Sequence, residues 1–360
     1  MTVYLFLLIL VVFAGIKAAP AGSFQKDYMS KEKTNVVKGV FVILVFYKHA
    51  RQYMNLGGPF DKPYIIMEDF MGQMIVAMFL FYSGYGMMEA IKKKGFSYVK
   101  GILCRRLPQV YFHFVIILLM FLILDLCLGQ LSRYSVKTIA LSFIGWENIG
   151  NSNWYMFVVF VLYLFMFLAF FLLRFFEGKR VQLAGACILT LLTAGFVYGM
   201  RAMGRPSYFY NTALLLPLGV WYSYLKKWIE KLMMTSELRY EFICLITIVL
   251  FAATSLLRSK HGIEVYTVWA VVFTLSIVFF TMKISIGNPV LDWFGNHVFS
   301  VYMLQRLPMI ALAHRGIGHS HRYLFLVIVL ICTIFLSHLF DTVMSRLSSR
   351  INEIRRKENI

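Results

Sequence analysis

Charge is scarce in this chain of 360 residues, and acidic charge is scarcest, with 17 Asp and Glu against 36 Lys and Arg. Charged residues are 15% of the sequence and hydrophobic ones 60%, whereas a soluble domain carries about 25% and about 45–50%. A soluble fold of this length still needs a polar skin, so an ordinary soluble enzyme is excluded, and so is a disordered chain. Only 8 prolines are present, with no Gly-X-Y period, which excludes a collagen-like chain. The five cysteines (Cys104, Cys127, Cys187, Cys244 and Cys332) are odd in number and widely spaced, and none forms a CxxC pair. A disulfide framework or cysteine metal site is therefore excluded, and they read as small buried apolar residues. Neither a P-loop nor GxGxxG is found, so a nucleoside triphosphatase or a dehydrogenase has no support. No Gly/Ser- or Pro-rich linker and no internal repeat divides the chain.

What is present is length of apolar run. A membrane span needs about 20 mainly apolar residues. Such runs fall near residues 36–50, 70–91, 108–129, 153–175, 181–200, 211–225, 241–257, 265–282, 296–313 and 322–343. The expected fold is all-α and polytopic, with about ten transmembrane helices; barrel strands would alternate over segments of about 10 residues. A further apolar run, residues 2–16, precedes Lys17 and the small residues Ala18, Ala19 and Pro20. A signal peptide is one reading, although the basic start is missing; a signal anchor or an extra membrane helix is the other, and the charge distribution favours it over cleavage. The expected organisation is an N-terminal apolar segment and basic linker at 1–33, a membrane domain at 34–345 and a basic tail at 346–360.

The net charge of +19 raises the question of nucleic acid, but topology answers it first. If the segment before residue 36 is cytoplasmic, that side receives 23 Lys and Arg and the other 12, with Lys17 unassigned. Lys and Arg collect at cytoplasmic loops, so both ends of the ten-helix unit are expected inside, with a cytoplasmic C-terminus and no nucleic-acid partner.

A few polar residues are left over. Lys38 and His49 have ten residues between them on the first long span. Eleven steps are about three helical turns, so the two share one face about 16 Å apart. An ionisable residue inside a span is a functional candidate, although a helix-end lysine and an interfacial histidine would give the same pattern. Phe81-Tyr82-Ser83-Gly84 places small residues inside the next span, which allows close helix packing and leaves room for a ligand. Arg105 and Arg106 close a basic loop that begins at Lys92, suited to phosphate. Asn153-Trp154-Tyr155 opens a helix after a polar stretch. Ser300, Tyr302, Gln305 and Arg306 lie in a late span whose polar groups need partners. His314, His319 and His321 cluster in a short loop without nearby carboxylates, so a metal site is not expected. His113 and Asp125 share a helix about three turns apart, as separate polar contacts.

Taken in order, Lys38-x10-His49, Phe81-Tyr82-Ser83-Gly84, Arg105-Arg106-Leu107, Trp154-Tyr155 and the segment from Gly295 to Pro308 resemble the acyltransferase 3 family of integral membrane acyltransferases. The family pattern is a basic residue, ten residues and a histidine, then an aromatic Ser-Gly segment, an Arg-rich cytoplasmic loop, and a late Gly…Ser…Tyr-Leu-Leu-(His/Gln)-x-x-Pro. The resemblance covers roughly residues 34–345. Two departures stand out: Gln109 occupies the place of a further arginine, and no Glu follows Trp154 in the middle-helix motif.

The resemblance implies about ten helices in a bacterial inner or cell membrane. It further implies a cytoplasmic acyl-coenzyme A donor, commonly acetyl-coenzyme A, and as acceptor a hydroxyl of an extracytoplasmic or lipid-linked carbohydrate of the cell envelope. Polysaccharide O-acetylation is the corresponding activity. Lys38 and His49 fall on the basic-x10-His pair as catalytic candidates, with His49 as general base or as the site of an acyl-histidine. Arg105 and Arg106 would bind donor phosphates, Tyr82 and Ser83 would line the acyl path, and Trp154, Tyr302, Gln305 and Arg306 would meet the acceptor. A transporter or flippase would show paired broken helices in two related halves, which are not found. A polysaccharide polymerase would carry a large outer loop with Arg and Asp, whereas the loops here are short. A membrane scaffold would leave the Lys–His spacing accidental.

Overall fold

The structure, a computed structural model, describes residues 1–176, 178–257 and 262–358, with side chains through Arg350. The side chains of the basic tail beyond Arg350, Arg355, Arg356 and Lys357 among them, lie outside the described residues. The chain runs α1 (Thr2–Phe13), β1 (Lys17–Ala18), α2 (Lys31–Arg51), α3 (Lys62–Met71), α4 (Met74–Lys94), α5 (Phe96–Gly101), a π-helical turn (Ile102–Arg106) and α6 (Leu107–Cys127). It continues through α7 (Val136–Ser142), α8 (Trp154–Phe171), α9 (Lys179–Ala202), α10 (Leu215–Met233), α11 (Glu237–Leu257) and α12 (Gly262–Lys283). It closes with β2 (Ile284–Ser285), α13 (Pro289–Asn296), α14 (Val298–Leu304), α15 (Arg306–His314), α16 (Ile317–Ser320) and α17 (Arg322–Glu358).

Among the described residues, seven helical stretches are long and apolar enough to cross a membrane: α4, the run from α5 through α6, α8, α9, α11, α12 and α17 up to Arg350. The protein is an all-α polytopic membrane protein, as its composition requires. Three expected spans take other forms, for local reasons. Residues 36–50 lie in α2, where Lys31, Lys33, Lys38, Lys48 and Arg51 dilute the apolar content. The run at 211–225 becomes α10, which starts only at Leu215 and continues past Lys226, Lys227 and Lys231. The run at 296–313 is broken: α14 ends at Leu304, Gln305 interrupts, and α15 begins at Arg306 with Pro308 in its first turns, where a missing N–H costs nothing. The run at 70–91 also divides, at Gly72 with φ +48°, which separates α3 from α4.

α2 is the axis of the fold. Ser30 caps its first turn by accepting from the Lys33 N–H at 3.3 Å, and Lys48, His49 and Arg51 stand in its last turn, where positive charge suits the helix dipole. Between Val36 and Ala50 nearly every side chain is buried, so no amphipathic stripe marks the helix.

Glycine pairs set its neighbours. A Cβ on Gly39 would lie 2.0 Å from the Leu291 carbonyl oxygen, and one on Gly295 would lie 1.9 Å from that of Asn35. α2 and α13 therefore cross backbone to backbone, fastened by Asn35 Nδ2 donating to Asn296 Oδ1 at 2.7 Å. The same device joins α4 to α10: a Cβ on Gly84 would meet the Leu216 oxygen at 2.0 Å, and one on Gly219 the Phe81 oxygen at 2.0 Å. Small residues permit such approaches where lipid supplies no hydrophobic drive.

The N-terminal apolar segment is an integral part of the bundle. At 12 residues α1 reaches only about 18 Å, short of a full span. Its Tyr4 carbonyl accepts from the Tyr47 hydroxyl at 3.2 Å, and its Val11 carbonyl accepts from Asn288 Nδ2 at 2.6 Å. β1 then pairs antiparallel with β2, Lys17 opposite Ser285. The segment thus follows the depth of the bundle from the His49 end of α2 to the Lys31 end.

Candidate functional site

Two cavities lie along α2. The larger, about 1100 Å³, is lined by the cations Lys31, Lys38, Lys93 and Arg106, by the carboxylates Glu89 and Asp341, and by Tyr82, Ser83, Tyr155, Tyr163 and Tyr302. The smaller, about 400 Å³, is lined by His49, Trp154, Arg306 and Tyr302 together with Lys48, Gln52, Gln73, Asn151 and Ser152. Tyr302 and no other predicted site residue contributes to both walls.

Arg106 is fixed by aromatic hydroxyls. It donates to Tyr98 Oη at 2.8 Å and to Tyr163 Oη at 2.9 Å, with its guanidinium 4.8 Å from the Tyr163 ring centroid. Tyr163 Oη in turn lies 3.1 Å from Ser83 Oγ, so an arginine from the π-helical turn, a tyrosine from α8 and a serine from α4 form one network. Arg105, its neighbour in sequence, is exposed and lines neither cavity. The two arginines expected as a pair are therefore separated, because successive residues on a helical turn point to different sides of it. Lys38 makes no hydrogen bond or ion pair with any described residue, and its side chain belongs to the large cavity.

His49 is buried at the other end of the helix. Its Nε2 is 3.4 Å from Ser152 Oγ, and its Nδ1 is buried without a hydrogen-bond partner. The Tyr302 ring stands 6.0 Å from it and 5.2 Å from Tyr155, a wall residue of the large cavity. Tyr302 Oη donates to the Ser152 carbonyl at 3.4 Å.

Ser152 is presented by a loop that bonds to itself. Asn153 N–H donates to Asn148 Oδ1 at 2.8 Å, Asn153 Nδ2 to the Glu147 carbonyl at 2.9 Å, and Ile149 N–H to Asn151 Oδ1 at 3.2 Å. Arg205 pins its start, donating to the Trp146 carbonyl at 2.7 Å with its guanidinium 4.1 Å from the indole. Gly150, at φ +78°, makes the turn whose carbonyl accepts from Arg306 Nη1 at 3.2 Å. Arg306 Nη2 donates to Gln52 Oε1, while its Nε is buried without a partner. Trp154 packs on Tyr208, ring centroids 5.4 Å apart.

Gln305 does not join the site. It is fully buried, donates to the Tyr302 carbonyl at 2.9 Å and lines neither cavity, so it braces the α14–α15 break. His314 is bonded to Gln130 at 2.8 Å and His319 to Asn55 at 3.1 Å, and among the described residues no group of three His, Cys, Asp or Glu is placed to hold a metal. His113 lines the large cavity between Phe299 and Phe340. Sequence reasoning missed Tyr163, Ser152 and Asp341. Asp341, on the last helix, accepts from Ser300 Oγ at 2.6 Å and lies 3.8 Å from His297. Tyr163 sits one helical face below Tyr155 with no motif to mark it, and Ser152 was visible only as part of a polar stretch.

Such a bundle, with polar cavities entering a lipid-embedded core, defines an integral membrane protein built to bring polar groups together within the bilayer. The chain belongs to the acyltransferase 3 family: the family model, described as an acyltransferase domain, matches residues 33–341. It is a membrane acyltransferase. No curated protein and no solved structure matches the chain.

Proposed function

We propose that the protein transfers an acyl group, acetyl in the first instance, from cytoplasmic acyl-coenzyme A to a hydroxyl of an extracytoplasmic or lipid-linked carbohydrate. The observation that carries this reading is the pair of cavities meeting at Tyr302, one basic and one holding a buried, underbonded histidine. The donor enters the large cavity with its phosphates at Lys31, Lys38, Lys93 and Arg106. Its pantetheine arm follows the Tyr82–Ser83–Tyr163 wall and brings the thioester towards Tyr302. Lys38 thus belongs with the donor cations, because about 16 Å of helix separates it from His49.

The acceptor lies in the smaller cavity. A sugar hydroxyl is a weak nucleophile until a base takes its proton, and histidine suits that task near neutral pH. Ser152 Oγ, taking the Nε2 proton as a hydrogen bond, holds the tautomer in which Nδ1 carries the lone pair. Nδ1 removes the hydroxyl proton while the oxygen attacks the thioester carbonyl. The carbon–sulfur bond breaks, and the thiolate of coenzyme A leaves and takes up that proton. Gln73 Oε1 and Asn151 Nδ2, both buried without partners, supply an acceptor and a donor for neighbouring hydroxyls. The Trp154 ring offers an apolar wall for a sugar face.

The test is acyl transfer from labelled acyl-coenzyme A to a cell-envelope extract by the purified protein, read as both labelled product and released coenzyme A. Full transfer by His49→Ala would defeat the assignment. Movement of an unmodified solute without coenzyme A release would indicate a transporter instead, and chain growth without acyl incorporation a polymerase.

A further inference from the structure

The smaller cavity has one feature that a neutral sugar does not explain. It is lined by two cations, Lys48 and Arg306, and among the described residues by no carboxylate. Lys48 lies near Glu68 and Asp69, and the same two acids pair with Arg51 at 3.4 Å and 2.7 Å. That cluster sets two cations against two acids, of which burial keeps Glu68 partly protonated near neutral pH. Arg306 stands outside it. None of the ion pairs among the described residues includes Arg306. Its two bonded nitrogens face neutral oxygens, the Gly150 carbonyl and the Gln52 amide, the Tyr53 hydroxyl beside it is neutral too, and its Nε remains buried and unbonded.

A partly buried guanidinium without a counter-ion carries a desolvation cost. Neutral partners recover part of that cost, and an anion recovers far more, because charge-assisted bonds from arginine to carboxylate or phosphate are about twice as strong as neutral ones. Arg306 is also held in place before any ligand arrives, by a rigid loop on one side and by α2 on the other. We infer that the acceptor is anionic, with a carboxylate or phosphate of the glycan anchored on Arg306 while the hydroxyl to be acylated faces His49. This rests on the acyl-transfer reading above and specifies its substrate class. A uronic acid would supply the anion as a carboxylate, and a lipid-linked or teichoic-type sugar as a phosphodiester.

The test uses the full chain in lipid nanodiscs and three probes: hexyl β-D-glucoside, hexyl β-D-glucuronide and a hexyl phosphodiester of glucose. Binding is measured by calorimetry, and kcat and KM for acylation with labelled acetyl-coenzyme A. At least one anionic probe is expected to bind tenfold or more tightly than the neutral glucoside. Arg306→Gln is expected to bring that ratio to within about twofold of one, and Arg306→Lys to retain part of the preference. The favoured probe then distinguishes carboxylate from phosphate. Equal binding of all three by the wild type, or binding of none, overturns the inference, and this arm requires no variant to fold. Retention of the preference by Arg306→Gln overturns it too. So does an equal fall in kcat for every acceptor with binding unchanged, which would place Arg306 at the developing oxyanion instead. Because calorimetry reads binding without turnover, charge-blind binding with intact transfer rejects this inference alone, whereas absent transfer to any acceptor rejects the acyltransferase chemistry at this site.

Discussion

His49 and Tyr302 face one another at 6.0 Å between ring centroids, and Tyr302 is in the wall of both cavities. The histidine comes from the last turn of α2, the tyrosine from a helix that ends two residues later. Everything proposed for catalysis passes through the gap that these two side chains define.

His49→Ala is expected to lower kcat by about 10²–10⁴-fold, the range for loss of a general base. Donor binding, measured as coenzyme A affinity, should hold, because His49 does not line the basic cavity. Retained turnover would remove the histidine from the mechanism.

Tyr302→Ala is expected to join the two cavities and admit water to the thioester. The measured consequence is release of coenzyme A without acceptor acylation, at a rate above that of the wild type, while Tyr302→Phe keeps the barrier. Tight coupling in the alanine variant would show that the ring does not separate the cavities.

The two neighbouring arginines should behave differently. Arg106→Gln removes a group bonded to Tyr98 and Tyr163 and is expected to raise the donor KM about tenfold or more, as loss of a hydrogen-bonded charge does. Arg105→Gln, at an exposed position, should change it less than about twofold. Equal effects would contradict the separation of their side chains.

Gly84→Ala or Gly295→Ala places a methyl group about 2 Å from a carbonyl oxygen of the neighbouring helix. Overpacking typically costs about 1–3 kcal/mol, and backbone obstacles give way less readily than side chains. Both variants should show a lower Tm in detergent than Gly86→Ala, where nothing lies within 4 Å of the added carbon.

Glu68, on α3 outside the spans, is held up to about 7 by burial, against which Tyr64 and Arg51 pull only partly. Its carboxyl ionises earlier in the unfolded chain, near the ordinary value of about 4.3. Stability from this group is therefore complete below that value and lost as pH rises towards 7. Glu68→Gln should flatten the fall in Tm between pH 5 and pH 8, and an unchanged slope would assign the pH dependence elsewhere.

Much was decided by the linear chain. Apolar runs of sufficient length have one economical solution in lipid, the helix, because every backbone group must bond internally. The Lys38–His49 spacing lies within a single helix, α2, and the ordered short motifs carried the family. Other assignments needed the folded chain. Adjacency of Arg105 and Arg106 suggested a shared role, but a helical turn sends neighbours to different faces. Gln305 and Arg306, also adjacent, part for the same reason at the α14–α15 break, one to brace the core and one to the cavity.

Sequence alone thus determined the membrane environment, the helical class and the identity of the histidine-bearing helix, since these depend on composition and on periodicity within single segments. Tertiary structure decided which polar residues share a cavity. Ser152 reaches His49 across 103 positions and Arg306 reaches Gln52 across 254, contacts set by glycine-to-backbone crossings and a self-bonded loop that no local pattern encodes. The unbalanced charge on Arg306 belongs to this second kind, because a cation lacks a counter-ion only with respect to the residues that the fold places around it.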